Sequence, residues 1–200
     1  MEILLDNSVL SHAVTGTKHL SGVRNKARPG GRLTPDIKAF ESFASLACSG
    51  EITCYTSLEL EAEALSDLPY PLSQEDCLDR VKLHHTDVPI DRTKFGLEAG
   101  AFLGKCSLIE FCERYLLNAA SGSVGNSCGG SHIYHLSCLS DFEKACIKNI
   151  SVFRYLCDGI SRDKIADAFH YWTAIEGGLS AFCTNDVRFQ NAMTHKKRDL

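Results

Sequence analysis

Residues 163–189 read DKIADAFHYWTAIEGGLSAFCTNDVRF and combine a helix, a glycine stop, an apolar strand and a polar turn that carries an acid. Apolar side chains recur at three- and four-residue spacing, which predicts a helix, and the glycine pair 177–178 is typical of a left-handed helix end. Leu179 to Cys183 is short enough for a buried strand. We therefore expect Asp167 in the first turns of the helix and Asp186 just past the carboxyl end of the strand.

A second apolar run that ends in an acid opens the chain. Ile3-Leu4-Leu5 predicts a first strand, and Asp6 follows it directly. Functional sites of open α/β sheets form at the carboxyl ends of parallel strands, so Asp6 and Asp186 are expected at the same edge. Asp6 is equally compatible with a helix N-cap for the segment that starts at Ser8.

A third group of acids follows the next predicted strand, Ile52 to Tyr55. Thr56-Ser57 would cap a helix that carries Glu59, Glu61 and Glu63. Glu59 and Glu63 are one turn apart on one side of this helix, whereas Glu61 points elsewhere. Acids in a first helical turn also complement the helix dipole, so at least one of the three is expected to have that role alone.

The remaining elements complete an α/β pattern. We expect a helix from Pro35 to Gly50, a third strand at Thr86 to Ile90, and helices at Leu108 to Leu117 and Ile133 to Ile147, while Ile150 to Cys157 fits no clear pattern. The Gly/Ser-rich segment 121–131 lacks the Lys-Ser/Thr ending of a P-loop, which argues against nucleotide binding there.

Length and charge set further bounds. With 200 residues and 44% hydrophobic content, the chain is long enough for one buried core. A net charge of −4 gives no overall attraction for nucleic acid, so binding would need a locally basic surface. Two segments are locally basic, residues 195–198 and a loop with Arg24, Lys26, Arg28 and Arg32. Both are candidate phosphate contacts, although a solvated loop and tail would have the same composition.

The ten cysteines do not indicate a secreted disulfide scaffold. The start MEILLD is not a signal peptide, because an acid follows the first methionine and the apolar run is short. No apolar run approaches the roughly 20 residues of a membrane span. Cys54, Cys112, Cys146 and Cys183 occupy apolar-periodic positions, so we expect free buried thiols, a cytoplasmic location and no membrane partner.

Segments 4–14, LLDNSVLSHAV, and 167–189 together resemble the PIN-domain family, especially the bacterial PIN proteins related to VapC-type ribonuclease toxins. The resemblance covers less than half of the chain and is absent from 66 to 150. It implies a single domain over 1–200, a three-layer α/β/α sandwich with a central parallel sheet, enlarged by a helical middle segment at approximately 66–150. It also implies endonucleolytic cleavage of RNA at a divalent metal held by three or four acids.

Carried over by motif, Asp6 matches the first acid of the family, Asp167 the third and Asp186 the fourth. The second acid is open among the three glutamates after the second strand, with Glu63 favoured and Glu59 next. Asn7, Thr184 and Asn185 are expected to hydrogen-bond the acids or a metal-bound water.

The chemistry of such a cluster is plausible without the family. Carboxylates brought close together repel one another unless a cation neutralises them. Mg²⁺ or Mn²⁺ fits, because both are hard ions that bind a few carboxylates plus water. Such an ion can activate water for attack on a phosphodiester. The expected partners are RNA, an antitoxin protein if the chain is a toxin, and a second copy in a homodimer.

Two alternatives stay open. The same fold could be a catalytically inactive binding scaffold, with the helical middle segment as a partner surface. Alternatively, Cys128, His132, His135 and Cys138 have the ligand inventory of a tetrahedral zinc site, although their spacing lacks the usual Cys and His pairs.

Overall fold

The computed structural model describes residues 1–9, 35–67, 81–95, 107–118 and 139–196. These residues fall into two compact units. The first comprises the described residues up to Thr86 together with Leu179–Asp186, and the second those from Asp87 to Gly178 and from Val187 onwards. The prediction of one domain over 1–200 is not tested by this division, because one domain can contain two compact lobes.

The first unit is built on a parallel sheet of four strands. The strands are β1 (Glu2–Leu5), β2 (Thr53–Thr56), β3 (Leu83–His85) and β4 (Ala181–Cys183). Their order is β3-β2-β1-β4, and every neighbouring pair is parallel. The expected α/β class with a parallel sheet is confirmed at this level.

The strand order creates a switch point beside β1. From β1 the chain continues to β2 on one side, whereas β4 pairs with β1 on the other side, with Leu5 opposite Cys183. In open α/β sheets, ligands bind outside the carboxyl ends of the strands where the order reverses. The residues that follow β1 and β4 occupy this place.

The buried faces of β1 explain why its sequence is apolar throughout. Ile3 and Leu5 share one face with Cys54, and α1 (Pro35–Cys48) packs on that face through Phe43, Ala44 and Ala47. Leu4 is fully buried as well. Burial on both faces is typical of an inner strand of a parallel sheet. The helix α2 (Leu58–Asp67) follows β2, and residues 7–9 after β1 are helical.

The second unit is helical where it is described. Its helices are α3 (Leu108–Phe111), a π-helix (Cys112–Leu117), α4 (Asp141–Lys148), α5 (Ile150–Cys157), α6 (Ile165–Glu176) and α7 (Val187–Lys196), with 3-10 turns at Arg92–Phe95 and Arg162–Lys164. An aromatic cluster joins α5 to α6. Phe153 stacks on Trp172 with ring centroids 5.1 Å apart, and Phe169 meets both edge-on.

Two element predictions need correction, and one unassigned segment now has a structure. The third strand is Leu83–His85, so the strand expected at Thr86 to Ile90 is wrong; Pro89 has no N–H for a ladder, and Val88 and Ile90 are buried without a strand. The unassigned segment Ile150–Cys157 is helix α5. The helix expected over Ile133 to Ile147 begins, in its described part, at Asp141 after the N-cap Ser140, and 133–138 lie outside the described residues.

The described cysteines are free thiols. Cys54, Cys112 and Cys146 are buried, and Cys183 is half-buried. The expectation of free thiols at these four positions is therefore confirmed. Within the described ranges, no helix has both the length and the apolarity needed to cross a membrane.

Candidate functional site

Asp6 is the centre of a hydrogen-bonded cluster at the switch point. Its backbone amide donates to the carbonyl of Cys183 at 2.9 Å, and the residue is only 6% exposed. The carboxylate oxygen Oδ2 accepts hydrogen bonds from Ser8 Oγ at 2.5 Å and from Thr184 Oγ1 at 2.7 Å. These two donors replace part of the hydration that a buried carboxylate loses. The turn after β1 and the turn after β4 therefore hold the same carboxylate.

The backbone of the turn after β4 orients both hydroxyls. The amide of Asn185 donates to Ser8 Oγ at 3.0 Å, and the amide of Asp186 donates to Thr184 Oγ1 at 3.1 Å. A hydroxyl has one proton and two lone pairs, so each can accept an amide proton while it donates to Asp6. Thr184 thus bonds Asp6 directly, whereas the backbone and side-chain amides of Asn185 both donate to Ser8 and not to an acid. That Thr184 and Asn185 support a metal site stays a prediction.

The neighbouring thiol of Cys183 is kept protonated. Burial raises its pKa, and the negative charge of Asp6 raises that pKa further. A thiol with a raised pKa is a weak nucleophile at neutral pH, because the thiolate is the reactive form.

The three glutamates of α2 have different environments. Glu59 is fully buried, Glu63 is half-buried, and Oε1 of Glu61 lies 3.2 Å from Nε2 of His85. The side chain of Asn7 donates to the carbonyl of Leu60 at 2.8 Å. This bond attaches the residue after Asp6 to the first turn of α2, where Glu59 lies, so that Asn7 connects two elements.

The remaining predicted acids divide between the units. Asp186 is half-buried in the first unit. Asp167 lies in the first turn of α6 in the second unit, with Lys164 Nζ 3.6 Å from its Oδ2. That Asp167 shares a site with Asp6 stays a prediction. Across the described part of the chain, no group of three or more His, Cys, Asp or Glu side chains is positioned to hold a metal ion.

Several predicted residues lie outside the described ranges. They are the basic loop residues Arg24, Lys26, Arg28 and Arg32 and the candidate zinc ligands Cys128, His132, His135 and Cys138. Lys196, a candidate phosphate contact, is described, and its ammonium donates to the carbonyls of Tyr155, Leu156 and Asp158 at the end of α5.

Sequence reasoning missed Ser8. It assigned a supporting role to Asn7, whereas the hydroxyl that contacts Asp6 belongs to the next residue. A signal was present, because a serine two residues after a strand-ending acid can hydrogen-bond back to that acid in a turn.

Comparisons with protein-family models, with curated proteins and with solved structures found no match to this chain. The resemblance to the PIN-domain family therefore rests on the two sequence segments 4–14 and 167–189.

Proposed function

We propose that the chain is a divalent-metal-dependent endoribonuclease with a PIN-like α/β/α fold and Asp6 as its central metal ligand. The observation that carries this proposal is the buried carboxylate of Asp6 at the switch point, oriented by hydroxyls from two separate turns. A carboxylate used only as a helix cap accepts backbone amides of its own helix. Asp6 instead accepts side-chain hydroxyls, one of them from the turn after β4.

The donor atoms at this place suit a hard cation. Both hydroxyl bonds go to Oδ2, and the described residues show no hydrogen bond to Oδ1. A carboxylate has about four acceptor directions, so Oδ1 retains lone pairs for a ligand. Oxygen-only donors of this kind favour Mg²⁺ or Mn²⁺ over softer metals.

The other acids complete the proposed site. Thr184 connects Asp186 to Asp6, because its hydroxyl accepts the backbone amide of Asp186 and donates to the carboxylate of Asp6. Of the glutamates, Glu59 and Glu63 lie on one side of α2, and the burial of Glu59 beside the residue bonded by Asn7 favours Glu59 as the second acid. Asp167 joins them on the strength of the sequence resemblance.

The residues of the chain have distinct roles in the proposed reaction. A divalent ion at such a site supplies Lewis-acid polarisation of a phosphoryl oxygen and activation of water at neutral pH. Asp6 would bind the ion, and Thr184 fixes the direction of the Asp6 carboxylate. The protonated thiol of Cys183 does not compete as a nucleophile. The basic segment from Arg24 to Arg32 is our candidate for contacts to the RNA phosphates, and an antitoxin and a homodimer partner are the proposed protein partners.

The test is an RNA cleavage assay with added Mn²⁺ on the wild type, Asp6→Asn and Glu51→Gln. Glu51 is a matched control, because its carboxylate also accepts a serine hydroxyl, from Ser49 at 3.0 Å, but it precedes β2 at the opposite edge of the sheet. We expect Asp6→Asn to lose at least about 100-fold in rate, since a lost metal ligand should exceed the 10–100-fold effect of an outer-shell partner. Glu51→Gln should cleave like the wild type.

A contaminating nuclease is excluded if the same difference in cleavage rate between the wild type and Asp6→Asn recurs in independent purifications. Cleavage that is absent from the wild type, or equal in wild type and Asp6→Asn, would contradict the proposal. The first result would favour the binding scaffold.

A further inference from the structure

We draw no further inference here: the strongest candidate, the surface patch on the π-helix Cys112–Leu117 where Arg114 stacks on Tyr115 and Arg162 pairs with Glu113, carries no proposal, because Glu113 offsets the charge of Arg162 and nothing in the described residues shows what covers the patch.

Discussion

Ser8 and Thr184 are 176 residues apart in the chain, yet both donate to the same oxygen of Asp6. Each acid at the sheet edge was predictable, because an apolar run that ends in an acid is visible in the sequence. The pairing of hydroxyls was not, since it depends on which strands are neighbours. Ser8 could have been proposed from its position after Asp6, but its link to Asn185 required the sheet order.

The cysteines of the first unit give a prediction at the scale of single residues. Burial raises the pKa of Cys54 to about 11, with smaller contributions from Cys183 and Cys48. Because alkylation requires the thiolate, we expect Cys54 to resist iodoacetamide at neutral pH and to react only as the pH approaches that value. The exposed Cys48 should be modified readily.

Peptide mass spectrometry after brief labelling measures both sites in one sample. In denaturant the two cysteines should label alike, which controls for intrinsic reactivity. Equal labelling of Cys48 and Cys54 in the native protein at neutral pH would contradict the buried position of Cys54.

Among the secondary-structure elements, the carboxylate of Glu143 joins the N-terminus of α4 to the 3-10 turn Arg92–Phe95. Burial disfavours its charge, but hydrogen bonds from Lys94 at 2.7 Å and from the amides of Ser140 and Asp91 outweigh this and lower its pKa. A pKa lowered in the folded state stabilises the protein above the unfolded value of about 4.3, and the contribution is lost as the pH falls through the folded pKa.

We therefore expect Glu143→Gln to reduce the free energy of unfolding by about 1–3 kcal/mol at neutral pH, because it removes a charged acceptor from buried hydrogen bonds. The loss should shrink as the pH falls below the unfolded value of about 4.3 and through the lowered folded pKa, because the wild-type carboxylate then becomes protonated. Urea unfolding at neutral pH and at a pH below about 4.3 measures this loss of free energy. Asp141→Asn, at an exposed side chain of the same helix that pairs with Lys144 on the surface, should cost much less, because exposed ion pairs contribute little. A pH-independent loss would show that the charge has no role.

Lys196 gives a second prediction for elements. Its ammonium donates to three carbonyls at the end of α5, where the helix dipole favours a positive charge. We expect Lys196→Met to cost about 1–2 kcal/mol of stability while RNA affinity is unchanged. Thermal unfolding measures the stability, and filter binding measures the RNA affinity. Lys82→Met, at an exposed lysine, is the control. Weaker RNA binding at unchanged stability would instead make Lys196 a phosphate contact.

The elements also show where local patterns are sufficient. The spacing in 165–176 and the glycine pair predicted α6 and its end, and Gly178 adopts the expected left-handed conformation with φ of 67°. Ile150–Cys157 has β-branched and aromatic residues that obscure its helical period. Its helix is stabilised by the packing of Phe153 on Trp172, a contact that no local pattern predicts.

At the scale of the whole molecule, the sequence indicated an α/β protein with a parallel sheet, and the structure agrees. The strand order could not be read from the chain, because every strand is short and no local feature specifies its neighbour. This order brings Asp6 and Thr184 into contact. Asp167 and Asp186 are predicted in the same site from the sequence resemblance, with Glu59 or Glu63 as the second acid, and only the convergence of these acids on one ion would make a nuclease.

Anomalous diffraction from crystals grown with Mn²⁺ tests that convergence most directly. We expect a manganese peak about 2.1 Å from Asp6 Oδ1, with further carboxylate oxygens from Asp186 and from Glu59 or Glu63 around it. A protein that cleaves RNA at the same Mn²⁺ concentration but has no peak at Asp6, or a peak at another place, would contradict it.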